Sequence, residues 1–406
     1  MAATAQIAHP LAAQTHKRPA VICHVTVAHS QLKSRSFHRQ LLPLSGLGYE
    51  VRYLAPIQQS DLNSSVQFIN LPSRRGFLLR LTWWPRLLRQ LRRQRAGLYH
   101  FQDPQLLPLA FVLKLIFRKR VVYDAYEDFP SIAAAKESIP KIVRPVAAAT
   151  VAFAERLAAR IFDAVVTADP ITMRRFGRTG PSKKLVFYNF PNLNFFPAPH
   201  PRRAPFDLIY RGGLSSRTGT FVLLDALQLL AVKRRSPRLL LIGYFDNPAA
   251  EKAMRDCISR LGLDPFVEIR CRIDHEEMAG ALDEARIGLS PLLAVPKFQK
   301  NIPVKIFEYW ACGLPAVATD LAPMRPFFRH GDAGLLVQPG SATELAAAIE
   351  WLLDNPDSAS RMGRRGRQLI TQRFNNSGEV HKLRRIFERI ASHSEGGRAA
   401  PCSNLS

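Results

Sequence analysis

Several features that would fix the class of this 406-residue chain are scarce or missing. Its five cysteines (Cys23, Cys257, Cys271, Cys312 and Cys402) form no metal-like pair and no even framework. That argues against a zinc module or a disulfide scaffold, and for a reducing, cytoplasmic setting. No run has the length and purity of a transmembrane helix; the best candidate, Leu106 to Phe117, is cut by Pro108 and Lys114. Residues 1–18 lack a basic start followed by an apolar core, so a disordered tail is expected there rather than a signal peptide, and a second tail over 392–406. The first loop carries no three-glycine dinucleotide fingerprint, which argues against an oxidoreductase. No acidic pair suited to a metal and no repeat at a solenoid period is evident. Acidic residues are the scarcest class that matters: 32 against 57 lysines and arginines, a net charge of +25. Such a chain expects a polyanionic neighbour, whether acidic lipid headgroups, nucleic acid or an anionic substrate.

The deficit is sharpest from Leu62 through Gln102, where no acidic residue occurs. Within it Phe77, Leu78, Leu81, Trp84, Leu87, Leu88 and Leu91 recur at helical spacing, opposite arginines that include Arg86, Arg89, Arg92 and Arg93. An arginine-rich face opposite a Trp/Phe/Leu face suits a helix lying on an anionic membrane, with Trp83 and Trp84 at the interface. Pro85 argues for two short pieces. An ordinary surface helix packing on a sheet fits the same pattern. Nucleic acid is not expected as a partner, because no RNA- or DNA-binding module appears.

What is present is enough apolar sequence, 47% of residues, for two α/β domains. Strands are expected at Val21–Val27, Tyr49–Ala55, Leu98–Gln102, Val121–Asp124 and Ala164–Ala168, the last closing the first half. Helices are expected at Phe37–Leu47, Leu106–Phe117 and Val143–Arg160. Arg35, in the first loop, could face a cleft. The proline-rich run 197–205 reads as a linker. The second half opens with a strand, Asp207–Tyr210, and the turn Arg211-Gly212-Gly213-Leu214-Ser215-Ser216-Arg217-Thr218-Gly219. Glycines let a backbone approach an anion, and two arginines can neutralise a diphosphate. A tight turn with surface arginines is the plainer alternative. Asp274 is expected to cap a helix to Glu284, and Glu379–Ile390 is expected to be the final helix.

The stretch that organises the chain is Asn301 to Asp320. Pro303 suits a first helical turn, Lys305–Ala311 a short helix, Gly313 its left-handed cap and Ala316–Thr319 a buried strand. The free N–H groups at that helix start suit phosphate oxygens. Glu308 is placed to accept both hydroxyls of a ribose, and Lys305 to meet a phosphate or sugar hydroxyl. A solvated glutamate in an ordinary helix is the competing reading.

KIFEYWACGLPAVATD resembles the donor-site helix of retaining glycosyltransferases of family 4, whose pattern P-x-K-x-x-E-Y-x-A-x-G-x-P-V-V-A is met by Pro303, Lys305, Glu308, Tyr309, Ala311, Gly313, Pro315, Val317 and Ala318. YHFQDPQLLP and VVYDAYEDFP resemble two further motifs of one branch of that family, through His100, Phe101, Asp103, Pro104, Tyr123, Asp124, Glu127, Asp128 and Pro130. The departures are Gln102 and Tyr126 in place of histidines, Gln105 in place of a glutamate, Lys300 where many members have a first glutamate, and Thr218 where a cation is usual. The resemblance spans about Pro19 to Ile390. It implies a GT-B fold: a Rossmann-like acceptor-side domain over 19–196, the linker, a Rossmann-like nucleotide-sugar domain over 206–374, and a helix over 375–391 crossing back. It implies transfer of a sugar from a nucleoside diphosphate sugar to an acceptor hydroxyl, with retention, without metal or cofactor. By the same resemblance Arg211 and Lys305 would steady the leaving diphosphate, with Tyr126 and Glu127 opposite. Gly212, Gly213, Arg217, Arg272, Ile273, Pro303 and Glu308 would hold the donor. The acceptor expected is a glycan or lipid-linked sugar at the cytoplasmic membrane face. Two other readings stay open: a catalytically silent GT-B scaffold, favoured by Gln102 and Tyr126, and a GT-B nucleotide-sugar epimerase.

Overall fold

The computed structural model describes residues 21–27, 36–56, 65–71, 83–136, 139–198, 204–233, 235–271, 273–274 and 276–392. Arg35, Arg272, residues 77–81, most of the run 197–205 and both terminal stretches lie outside these residues, apart from Ser392.

Short apolar runs bounded by polar turns become strands that are buried on both faces in the middle of each sheet and partly exposed at its edges, and each half forms one parallel sheet. The first sheet has seven strands: β1 (Val21–Val25), β2 (Glu50–Ala55), β3 (Val66–Asn70), β4 (Leu98–Phe101), β5 (Val121–Ala125), β6 (Ala164–Thr167) and β7 (Lys184–Val186), in the order β3-β2-β1-β4-β5-β6-β7. The second has six: β8 (Phe206–Gly213), β9 (Leu239–Tyr244), β10 (Val267–Cys271), β11 (Ala285–Ser290), β12 (Ala316–Thr319) and β13 (Gly334–Val337), in the order β10-β9-β8-β11-β12-β13. Both orders reverse beside the first strand, between β1 and β4 and between β8 and β11. Ligands of open α/β sheets gather at such points, beyond the strand C-termini.

The sequence missed β3, β7 and the helix Phe129–Ala135, so Ala164–Thr167 is not the last strand of its half. The helix expected from Asp274 begins only at Met278, with Glu277 at its cap. Pro303 is the extended N-cap of the helix Val304–Ala311, one position before the first turn. Phe37–Leu41 is a π-helical turn, running into the helix Leu42–Gly46. All five residues of that turn are buried, Arg39 included.

The final helix, Asn376–Ser392, crosses back to the first domain. Its Val380, Leu383, Ile386, Phe387 and Ile390 share one core with Ile22, Phe37, Leu41, Val51 and Val122. The passage between domains is aromatic: Phe190 packs edge-on to Phe307, with ring centroids 5.0 Å apart, and both adjoin Phe327 and Phe374.

The helix Trp84–Arg93 is a single piece with Pro85 in its first turn. Trp83, Leu87 and Leu91 are buried in the core of the first domain, and the Tyr99 hydroxyl donates to Leu91 O at 2.9 Å. Arg92 lies over the Phe117 ring. Trp84 is half-buried against that core, while Arg86, Arg89 and Arg93 are exposed. The sheet has taken the apolar face that an interfacial helix would present, which corrects the expectation of a two-faced membrane helix here. The arginine edge alone points outward.

One glycine is decisive for the second domain. Gly219 has φ +73°, and a Cβ there would sit 1.7 Å from Pro291 O. Gly219→Ala combines left-handed strain with a backbone clash and is expected to cost about 2–5 kcal/mol. Gly262 also has positive φ but open space around it, so Gly262→Ala should cost only about 1 kcal/mol. Denaturant unfolding of the two variants checks the difference.

Candidate active site

The helix Val304–Ala311 follows β11 and faces the first domain; Lys305, Glu308 and Tyr309 on it are all buried. Tyr309 fixes its position. The hydroxyl donates to Leu289 O at 3.0 Å and accepts from the Arg211 backbone N–H at 3.0 Å. Gly288 makes room for the ring, since a Cβ there would lie 2.4 Å from it. The turn after β8 is thereby tied to the helix.

Glu308 is fully buried and lies between two cations from different domains. Arg39 Nη2 donates to Oε1 at 3.1 Å, and Arg211 Nη1 lies 2.7 Å from Oε2 as an ion pair outside hydrogen-bond geometry. Lys305 has no carboxylate within ion-pair reach among the described residues. Its ammonium sits 4.0 Å from the centre of the Tyr210 ring and against Gly212, where a Cβ would be 2.9 Å away. Gly212 has φ +144°, so only glycine admits both this backbone and that contact. Burial, and then the neighbouring Arg211 charge, push the Lys305 ammonium down to about 7.

The rest of the turn is held by Thr218. Its hydroxyl donates within reach of Gly213 O and Ser215 O, each at 2.8 Å, and accepts from Ser215 N–H at 3.1 Å. Thr218 thus shapes the loop in place of the cation usual in the resembled family. Arg217 points outward to Asp246 at 3.2 Å, with its side chain 68% exposed, apart from Glu308 and Arg211. Ile273 packs at the edge of the second-domain core.

A cleft cavity of about 350 Å³ opens between the domains. Tyr126, Glu127, Gln102 and Arg39 line it from one side, and Asn301, Ile302 and Val304 line it from the start of the Glu308 helix. The structure therefore brings Tyr126 and Glu127 to the mouth of that helix, and Arg39 reaches from the cavity to Glu308. Gln102 donates to Asp124 Oδ2 at 3.2 Å, and Gln40 donates to the same oxygen at 3.0 Å. Asp103 accepts from Thr26 Oγ1 at 2.7 Å and from Val27 N–H at 2.6 Å. These carboxylates are buried bracing for the floor of the cleft.

A second bridge joins the domains at the rim. Lys300 donates to Asp128 Oδ2 at 3.1 Å, and Arg175 Nη1 donates to Asp128 Oδ1 at 2.9 Å. Arg175 also holds buried Glu155, which accepts from the Tyr123 hydroxyl at 2.9 Å. Burial alone would raise the Asp128 carboxyl. Hydrogen bonds from Ser131 and Lys300 and the Arg175 charge bring it below its ordinary value. Arg39 and the Lys300–Asp128 pair escaped the sequence reading. Their partners are 269 and 172 residues away, and no local pattern encodes such pairs.

Two Rossmann-like domains facing across a cleft, with a terminal helix that returns to the first, define a GT-B fold. Residues 205–355, within the second domain, match the family model described as glycosyl transferases group 1. Among curated proteins, the amylovoran biosynthesis glycosyltransferase of Erwinia amylovora is 27% identical over 194 residues, covering 46% of each chain. The chain spans about half the length of the curated relatives it matches. Sucrose-phosphate synthase of Thermosynechococcus elongatus superposes with a TM-score of 0.73 at 17% identity, covering 92% of this chain and 100% of that one. HepE of Anabaena, in complex with UDP and glucose, superposes with a TM-score of 0.70 at 16% identity, covering 91% of this chain and all of that one.

Proposed function

We propose that the protein transfers a sugar from a nucleoside diphosphate sugar to an acceptor hydroxyl, with retention, in the assembly of a polysaccharide or its lipid-linked precursor. The observation that carries this reading is Lys305: a buried ammonium without an ion-paired carboxylate among the described residues, beside Arg211 and under a glycine turn. A diphosphate supplies the missing charge. In this reading Lys305 and Arg211 steady the negative charge that builds on the leaving diphosphate. Gly212 and Gly213 let the backbone approach it, and Glu308 accepts the ribose hydroxyls. Tyr126 and Glu127 meet the sugar from the opposite wall. Because Arg39 and Arg211 already hold Glu308, the ribose shares that carboxylate or displaces Arg39 from it. The names of the relatives support the substrate class, with amylovoran assembly in one and UDP with glucose in another.

The test is thermal stability against UDP-, GDP- and ADP-sugars, followed by product analysis. A donor at about a hundred times its Kd adds roughly 2.7 kcal/mol, a shift of several degrees. Retention is read from the anomeric proton of the product. No shift with any donor favours the silent scaffold. Donor turnover to an isomeric sugar without acceptor favours the epimerase.

A further inference from the structure

The strongest unexplained feature is an apolar stripe on the outside of the first domain. The helix Arg144–Ile161 and the turn before it expose Ile142 (87%), Val146 (65%) and Phe153 (65%). With exposed Ala149 these positions step by four, three and four residues, which makes one continuous face. Buried Ala158 and Ala159 and the ion-paired Glu155 lie on the opposite side, so the stripe is not needed for the core. Arg156 and Arg160 continue the same face one and two turns beyond Phe153, both exposed, and Lys141 flanks its start. Among the described residues from 131 to 160 the one carboxylate is buried Glu155; Glu137 lies outside them.

We propose that this face docks on an anionic lipid bilayer, with Ile142, Val146 and Phe153 entering the interface and Lys141, Arg156 and Arg160 at headgroup level. Basic side chains beside an apolar stripe match that surface in both polarity and sign. A second copy of the chain fits poorly, because a two-fold contact through one narrow stripe sets the same cations against each other. The location gives the face a use. The helix Phe129–Ala135 directly follows Tyr126 and Glu127, and the helix Arg144–Ile161 completes the crossover from the C-terminal end of β5 to the parallel strand β6. The start of the stripe thus lies toward the sheet edge that carries Tyr126 and Glu127, the edge at which an acceptor held in the membrane enters; that use rests on the transferase reading.

Co-flotation of the full chain with two kinds of vesicle tests the docking: phosphatidylcholine alone, and phosphatidylcholine with one-third phosphatidylglycerol. Wild type is expected to float with the anionic vesicles only. The variant Ile142→Ser/Val146→Ser/Phe153→Ser is expected to partition about a hundredfold more weakly. Its melting temperature should be unchanged, since the three side chains are exposed. Arg86→Ser/Arg89→Ser/Arg93→Ser should alter partitioning far less. The proposal is overturned if wild type floats with neither vesicle, or if the arginine variant loses binding and the apolar variant keeps it. It is equally overturned if the apolar variant turns a dimer into a monomer with vesicle binding intact. Donor-induced thermal shifts of the same proteins without vesicles are independent of all these results, so a failed donor shift counts against the transferase reading alone.

Discussion

Glu308→Ala lowers stability by about 3–5 kcal/mol, the cost of removing one member of a buried ion pair. The carboxylate is fully buried, Arg39 is 9% exposed and Arg211 28%. Arg211 can turn partly to water, so most of the loss comes from Arg39. For a domain of this size the expected fall in melting temperature is on the order of 10 °C. Arg39→Met/Glu308→Leu restores much of it, because replacing both members of a buried pair by apolar groups is often near neutral. Neither variant recovers donor binding. Differential scanning calorimetry with and without nucleotide separates the effects. A Glu308→Ala melting point within a degree of wild type would mean that the domains do not close this pair in solution.

The second large effect is a pH dependence of opposite sign for stability and for binding. Lys305 carries a folded value near 7 against 10.5 for the ordinary amine. Between those values the unfolded chain holds a proton that the folded chain lacks. Stability of the unliganded protein therefore rises with pH from about 7 to 10.5, and below 7 this contribution is flat. A diphosphate against Lys305 favours the charged form, so binding above pH 7 draws in a proton. Affinity for nucleoside diphosphate should weaken by up to about tenfold per pH unit above 7. Calorimetric titration at pH 8 in buffers of different ionisation enthalpy should register close to one proton taken up per site. Lys305→Met should bind more weakly at pH 7 and lose both slopes. Proton uptake that persists in Lys305→Met would assign the proton to another group.

Local rules made much of this readable beforehand. The central strands of both sheets are apolar runs between turn residues, whereas the missed edge strands β3 and β7 are short and mixed; Gly313, with φ +70°, ends its helix as a C-terminal glycine should. Lys305 and Glu308 could be named because one short segment carries them both. Arg39 could not, since its buried position depends on a helix 269 residues away. Helical periodicity showed that the Trp84–Arg93 segment has an apolar face, but not whether sheet or lipid would cover it. In the alanine-rich helix Arg144–Ile161 the opposite ambiguity applied. Small apolar residues on every side hide which stripe is left over, and only the packed neighbours reveal that Ile142, Val146 and Phe153 are. Thr218 and Arg217 show a third kind of limit: Thr218 braces the turn through its hydroxyl while Arg217 turns outward to Asp246, so the cation next to the expected position does not replace it there.

The returning helix also sets an order of events during synthesis. Phe37, Leu41 and Val51 leave the ribosome early, yet the side chains that seal them, from Val380 to Ile390, are made last. At the usual pace of translation the roughly 180 residues between the end of the first domain and that helix take about 10–40 s. Through that interval the nascent first domain carries an open apolar groove. A polypeptide stopped before Asn376 keeps the groove permanently, which makes it a substrate for chaperones rather than a free-standing first domain.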